Sequence, residues 1–527
     1  MQDFNITWID ITVVVIYLIA SRAIPLWLNR GKKSDTGGFF LGGRNFVWPM
    51  IGFSLFATNM SGSSFVGMAG AGYSSGIAVY SYEWIAAVAL VVFIFMLLPF
   101  YLRSGVFTMP EFLERRFDSR SRYIFAGMLI FLSIFLDCAG ALYAGGLVIQ
   151  TLFPSIDLWV GVLILTILAG IMSFFGGLGA VVISDTIQAC VLLLGAALVL
   201  AAGLYAIPSW DAMVQAAPEN GMSIIRPIDD PSLPWPGLFG VLIIGIYFWA
   251  NNQLIVQRTL GAKTLDHGRW GSIFAGFLKL TSLFLMILPG LMALTLYPDL
   301  KTPDLAFPTI AFDLLPIVLR GIVLAALIAA ITSTVDSILN SVSTMVTMDF
   351  VKPLRPHTSD AALVRIGQMT TVAVMLIVVL WAPQIIHFQS LWSYFQSILA
   401  YVTPPVVAIF FVGILWRGAT PAGAFAAFVG GLGIGILGFF TIQVGGLVDF
   451  HFLYSASVLL FIGLALIIGV SLVTQHKPGE EVDELIWTTR ILKDESKDLA
   501  AKPAWQNYRY QSLVLMVVTA IIVIWFW

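Results

Sequence analysis

Apolar runs of 18 or more residues, the length that marks a membrane-spanning helix, recur along the whole of this 527-residue chain. No other feature constrains the fold as much. Inside a bilayer every backbone N–H and C=O must find an internal partner, which leaves helices or closed barrels. These runs are too long for barrel strands, so they read as helices. Charged residues make up 11% of the sequence, against roughly 25% in a soluble protein. The chain therefore reads as an all-α polytopic membrane protein held in a lipid bilayer. A formal net charge of −2 says nothing about nucleic acid or acidic partners. Cys138 and Cys190 both fall in apolar runs and give neither a disulfide framework nor metal-ligand spacing. The start, MQDFNITWID, has no basic leader and reads as the edge of a retained span.

Fourteen spans fit the pattern: about 7–28, 47–71, 77–102, 123–153, 157–175, 180–207, 234–256, 270–297, 317–348, 362–382, 391–415, 420–443, 452–474 and 511–527. Lysine and arginine set the orientation. With residue 1 outside, the outside loops hold only Arg226, Lys301 and Arg320. The inside loops hold most of the rest, among them Lys32, Lys33, Arg116, Arg122, Arg258, Arg269 and Lys477. Both termini are then outside. Two hydrophilic excursions stand apart, 208–233 outside and 475–510 inside, and neither is long enough for an enzyme domain.

Polar groups at membrane depth are costly, so clusters of them carry information. Hydroxyls often bond back to the preceding helical turn, and glycines often serve close packing. "FATNMSGSSF" (56–65) is too dense for that alone. Gly62 and the Ser/Thr/Asn run weaken the helix, and unwound backbone in a membrane survives only when buried or lining a cavity. The freed carbonyls of Ala57 and Met60 suit a cation, and Asn59 and Ser64 suit a polar solute. In "AAITSTVDSILNSVSTMVTMD" (329–349), Ser333, Ser337 and Ser341 repeat every fourth residue and share one helix face. Thr334 flanks that face, and Asp336 and Asn340 form a stripe beside it. Such hard oxygen ligands fit Na⁺. The seventh span breaks pattern at "IYFWANNQLIVQR" (246–258), where Trp249, Asn251, Asn252 and Gln253 sit together. Interrupted spans at matching positions of two halves mark the binding site in many secondary transporters. The remaining buried charges are Glu83, Asp137, Asp185 and Lys279, and an internal Glu83–Lys279 pair is the plain structural alternative to a binding role.

Taken together, "FFLGGRNFVWPMIGFSLFATNMSGSSFVGMAG", "YEW", "GGLGAVVISDTIQ", "NNQLIVQRTL", "FLKL" and "STVDSILNSVSTMVTMD" resemble the sodium/solute symporters, above all the sodium/glucose and sodium/galactose cotransporters and their bacterial relatives. The resemblance implies a leucine-transporter-like five-plus-five inverted repeat with broken first and sixth core helices. It divides the chain into 1–46, an extra span and inside loop; 47–207, the first repeat; 208–233, the outside loop; 234–415, the second repeat; and 416–527, three further spans. It implies one sodium ion held by Ala57, Met60, Ala330, Ser333 and Thr334, and a second, where present, by Asp185, Asp336 and Ser337. Asp336 stands where relatives place a hydroxyl, which opens the ion count and a proton-linked role.

The sugar-holding positions of that family match Asn59, Glu83, Lys279 and Gln396, with Ser64, Phe248 and Trp249 beside them. Ser64, Gly245 and Phe248 depart from the pattern of the relatives. The function so implied is sodium-coupled import of a monosaccharide or similar small polyhydroxylated solute across a plasma membrane, as in a bacterial inner membrane. A sugar acid, sialic acid or inositol carried with sodium or protons is the alternative. The relatives imply a monomer or loose oligomer. An enzyme would need convergent catalytic groups, and His267, His357, His387, His451 and His476 are scattered. A sensor would need a fused signalling domain, for which 475–510 is too short.

Overall fold

The structure is a computed structural model that describes residues 6–30, 35–387, 391–474 and 479–527, without the side chains of 63, 386, 387 and 391–394. Lys32, Lys33, His476, Lys477 and the side chain of His387 lie outside the described residues. The described chain is helical, and its β pairing is confined to two isolated bridges, Phe46 with Ala262 and Arg226 with Pro234.

The principal helices are α1 (Trp8–Leu28), α2 (Trp48–Asn59), α3 (Gly62–Ser75), α4 (Ile77–Ser104), α5 (Ser119–Leu152) and α6 (Leu158–Ala206). They continue with α7 (Trp235–Asn251), α8 (Gln253–Leu260), α9 (Leu265–Leu296), α10 (Leu319–Leu354) and α11 (Asp360–Ile385). The last five are α12 (Leu391–Val402), α13 (Pro404–Leu415), α14 (Pro421–Val444), α15 (Phe452–Val473) and α16 (Tyr508–Trp525). Ten of these are long and apolar enough to cross a membrane, or twelve when each of two bent pairs, α7–α8 and α12–α13, counts as one span.

Two places account for the distance between that count and fourteen. The second predicted span is divided into α2 and α3, of 12 and 14 residues. The fifth and sixth run together as α6, whose 49 residues would reach about 74 Å, more than twice a bilayer core of about 30 Å. Gly177 interrupts α6 at φ +55° and ψ −164°, a conformation open in practice only to glycine. A Cβ there would also stand 2.5 Å from the Phe39 carbonyl oxygen.

Burial ranks the helices by position. In α10, 94% of the most apolar stretch is buried, against 22% in α1. The outer faces of α1, α11 and α14–α16 carry exposed Leu, Ile, Val and Trp, the surface a lipid environment accepts without cost. A polar-rich helix at the centre with apolar helices around it inverts the soluble pattern. Helix α10 packs on α6 along its length, and α1 lies against both.

Several arginines that the charge pattern assigns to inside loops are buried: Arg116, Arg122, Arg258 and Arg269. Each has acceptors that offset its desolvation. Arg116 donates to the carbonyls of Trp416 and Ala419 at 2.8 and 3.3 Å. Arg122 reaches Asp349 at 2.9 Å, and Arg269 reaches Glu495 at 2.7 Å.

Candidate functional site

The second span stops at Asn59, and the chain restarts as a helix at Gly62. Ser61 takes extended backbone, and its hydroxyl accepts from the Ser64 N–H at 3.1 Å, so a serine N-cap restarts the helix. The seventh span stops in the same manner. Asn252 leaves helical geometry at ψ 125°, and its side-chain oxygen accepts from the Leu254 N–H at 2.9 Å. Helices α7 and α8 meet there at 44°. At both breaks a short polar side chain replaces the backbone acceptor that a continuous helix would supply.

A helix end leaves its last carbonyls without intrahelical partners. At the end of α2 each is accounted for. The Phe56 carbonyl accepts from Met60 N–H at 2.9 Å and that of Asn59 from Ser61 N–H at 3.0 Å. The Ala57 carbonyl accepts from the Ser333 hydroxyl at 2.8 Å, and the Thr58 carbonyl from the Thr334 hydroxyl at 3.0 Å. Both hydroxyls also lie 3.2 Å from the Ala330 carbonyl. Ala57, Ala330, Ser333 and Thr334 therefore converge as four neutral oxygens between α2 and α10. Thr58 joins them, a position the sequence reading left without an ion role. Met60 sits at the break, and no hydrogen bond among the described residues joins its carbonyl to the hydroxyl pair. Gly62 makes the approach possible, since a Cβ there would come within 2.3 Å of Ile331 on α10.

Beside this point lies a cavity of about 720 Å³, within the range of small-molecule sites. Its lining includes Thr58, Thr334, Asn59, Ser64, Glu83, Phe248, Trp249, Lys279 and Gln396, so it touches the ion position and gathers every solute residue named from the sequence. Lys279 forms an ion pair with Glu83 and donates to the Asn59 side-chain oxygen. Ser282 donates to Glu83 at 2.9 Å. The Lys279 ammonium stands 5.8 Å from the Trp249 ring, which meets Phe248 edge-on at 5.6 Å. Among the described residues, the buried Gln396 side-chain oxygen has no hydrogen-bond partner. The Glu83–Lys279 pair and the binding role are thus compatible: one salt bridge aligns donors and acceptors along the cavity wall. Asp137 also lines it.

Asp185 and Asp336 lie away from the cavity lining. Asp185 accepts from Ser54 at 2.6 Å and from Thr58 at 3.4 Å, and pairs with Arg258 at 3.8 Å. The Thr58 hydroxyl also contacts that of Ser337 at 3.1 Å. Asp185 and Ser337 are therefore linked through Thr58. Asp336 turns to another partner, Arg22 of α1, at 3.4 Å. The sequence reading omits Arg22, although an arginine inside "YLIASRAIPLWL" is a legible signal, and it counts Arg258 only as an inside-loop charge. Arg258 sits at the edge of an apolar run and looked like a loop residue.

A family model described as the sodium:solute symporter family matches residues 39–431. Sodium/glucose cotransporter 1 of Oryctolagus cuniculus is 34% identical over 549 residues, covering 93% of this chain and 83% of the relative. Sodium/myo-inositol cotransporter 2 of Bos taurus is 34% identical over 533 residues, covering 91% and 79%. Among solved structures, a Na⁺-coupled sialic acid symporter in a substrate-bound outward-open state superposes with a TM-score of 0.79 at 21% identity, over 89% of this chain and 98% of that one. Mhp1, a nucleobase-cation-symport-1 family transporter, superposes at 0.56 and 15% identity, over 84% and 97%. At those identities the two structures speak for the fold alone.

Proposed function

Since the chain belongs to the sodium:solute symporter family, we propose that it is a sodium-coupled symporter importing a small polyhydroxylated solute, most simply a monosaccharide, by alternating access. The observation that carries this reading is the pair of hydroxyls, Ser333 and Thr334, set on the Ala57 and Thr58 carbonyls at a helix break and bordering the polar cavity. Neutral oxygens suit a hard monovalent ion that must also leave. Sodium bridging α2 and α10 steadies the broken span and with it Asn59, the first solute contact. Ion and solute then favour the same conformation, which is what coupling requires.

The solute role falls to Asn59, Glu83, Lys279 and Gln396 as hydrogen-bonding groups, with Ser64 beside them and Phe248 and Trp249 as ring platforms. Their mixture of donors and acceptors suits hydroxyl groups. Lys279 also suits a sugar acid, which keeps sialic acid and inositol within the panel to be tested. Residues 47–207 and 234–415 form the two five-span inverted repeats, each beginning with a broken helix, and α6 supplies the last two spans of the first repeat. The extra first span precedes them and three spans follow, giving fourteen in a plasma membrane.

The driving force is adequate. One charge moving down 100 mV releases ~2.3 kcal/mol. A tenfold sodium gradient adds ~1.4 kcal/mol, and the two together sustain roughly 500-fold accumulation for one ion. The test is uptake into proteoliposomes of glucose, galactose, myo-inositol, a uronate and sialic acid, with sodium, potassium and pH varied. Uptake of one of them driven by an inward sodium gradient is expected. Ser333→Ala should raise the half-saturating sodium concentration about tenfold, the loss of ~1.4 kcal/mol, and leave the solute ranking unchanged. Normal transport by Ser333→Ala at low sodium would remove the ion assignment.

A further inference from the structure

The first helix adds something to the core that its position outside the two repeats does not require. Arg22 lies on α1 with only 9% of its side chain exposed, and it points inward between α6 and α10. Its Nη1 stands 3.2 Å from the Ser184 hydroxyl and 3.4 Å from Asp336 Oδ2. Asp336 is fully buried, and neither of its oxygens accepts a hydrogen bond from the described residues. Nε and Nη2 of Arg22 are likewise buried without acceptors. Two charges are thus held together at depth mainly by each other. Asp185, with Arg258 3.8 Å from it, connects to this neighbourhood through Thr58, whose hydroxyl meets that of Ser337, the residue after Asp336.

With both carboxylates ionised, these four groups carry two positive and two negative charges. The oxygens that would receive a second sodium ion are those of Asp185, Asp336 and Ser337, and they belong to a neighbourhood already neutral. An added ion would leave a net positive charge buried between helices, with a large desolvation penalty and no unmatched carboxylate to offset it. A guanidinium is permanently charged at any pH the protein meets, so the compensation is built in.

We propose that Arg22 is a tethered cation that takes the charge position of a second sodium ion, so that this chain binds one sodium ion rather than two. The proposal rests on the sodium-coupled reading above and deepens it. It gives the extra first helix a part in the ion machinery, as the carrier of a positioning residue that acts through Asp336.

Radioactive sodium binding to the purified full-length protein in detergent tests this without any solute. The wild-type chain should bind one ion. Arg22→Met exposes an unmatched carboxylate and should bind two, with a Hill coefficient rising above one. Arg22→Lys keeps the charge and should return to one. If Arg22→Met does not fold, Asp336→Asn leaves the guanidinium unopposed and should weaken sodium binding about tenfold, against no change if the pair is merely structural. Two ions on the wild-type chain, one on Arg22→Met, or unchanged affinity in Asp336→Asn would each overturn the inference and leave a sodium-coupled transporter standing. No sodium bound to the wild-type chain would overturn the sodium reading itself, and this inference with it.

Discussion

Glu83 and Lys279 are both at most 4% exposed, and each serves two partners: Lys279 holds Glu83 and Asn59, and Glu83 receives Lys279 and Ser282. Removing one member of a buried pair leaves the other charged and unmatched, at about 3–5 kcal/mol. Glu83→Gln and Lys279→Met should each lower the thermal midpoint sharply. The double variant, which removes both charges together, should regain most of that stability and still fail to transport. Melting curves read beside uptake separate the two effects. A double variant as unstable as the singles would mean the pair is not the coupled unit described.

At the scale of the helix, close approach decides the site. Gly62 lets α3 begin against Ile331 of α10, and the same Ile331 lies against Gly145 of α5, where a Cβ would come within 2.8 Å. Gly62→Ala should cost about 1–3 kcal/mol by overpacking and push α3 off α10. Its signature is a raised sodium requirement, relieved when Ile331 is shortened to Ala. No relief in Gly62→Ala/Ile331→Ala would assign the defect elsewhere.

Another helix start is sensitive to pH. His451 caps α15 by accepting from the Leu453 N–H at 3.3 Å. Burial holds its imidazole below the usual histidine range, against the opposing pull of the Ser232 and Pro231 carbonyls and Asp230. The folded state therefore favours neutral histidine, and the unfolded state binds more protons as the medium acidifies. Stability rises with pH through this window and is lost as pH falls through the ordinary histidine value of about 6.5. His451→Asn keeps a capping oxygen and should flatten that dependence in a thermal-shift series. An unchanged slope would exclude His451 as its source.

For the whole molecule, orientation is the open quantity that charge placement answers. In the proposed orientation the outside loops carry Arg226, Lys301 and Arg320, and the inside ones nearly all the other lysines and arginines. The fourteen spans proposed above would return the chain to the side from which it started. Tags at the two termini should therefore both react with an impermeant reagent added to intact cells, and an engineered cysteine near Lys493 should not. Labelling of one terminus alone would remove an even span count.

The sequence alone carried the membrane environment, the broken second and seventh spans, and the candidate ion and solute residues. The membrane environment and the two breaks follow from local chemistry: apolar length, hydroxyl spacing, and Gly, Ser or Asn where a helix must stop; the roles of Ala330, Glu83, Lys279 and Gln396 are what the family resemblance implies. It could not say which buried charges face each other. Arg22 and Asp336 are 314 positions apart, and Arg258 looked like a loop residue because burial depends on what packs against an element, not on its own composition. Only the tertiary structure joined the Ser333 and Thr334 hydroxyls to particular carbonyls, made the Glu83–Lys279 pair part of a cavity wall, and brought an arginine from the first helix to the aspartate of the central one. Pairing energies in a medium of low dielectric are set by distances of a few ångströms, and those distances exist only once the helices have packed.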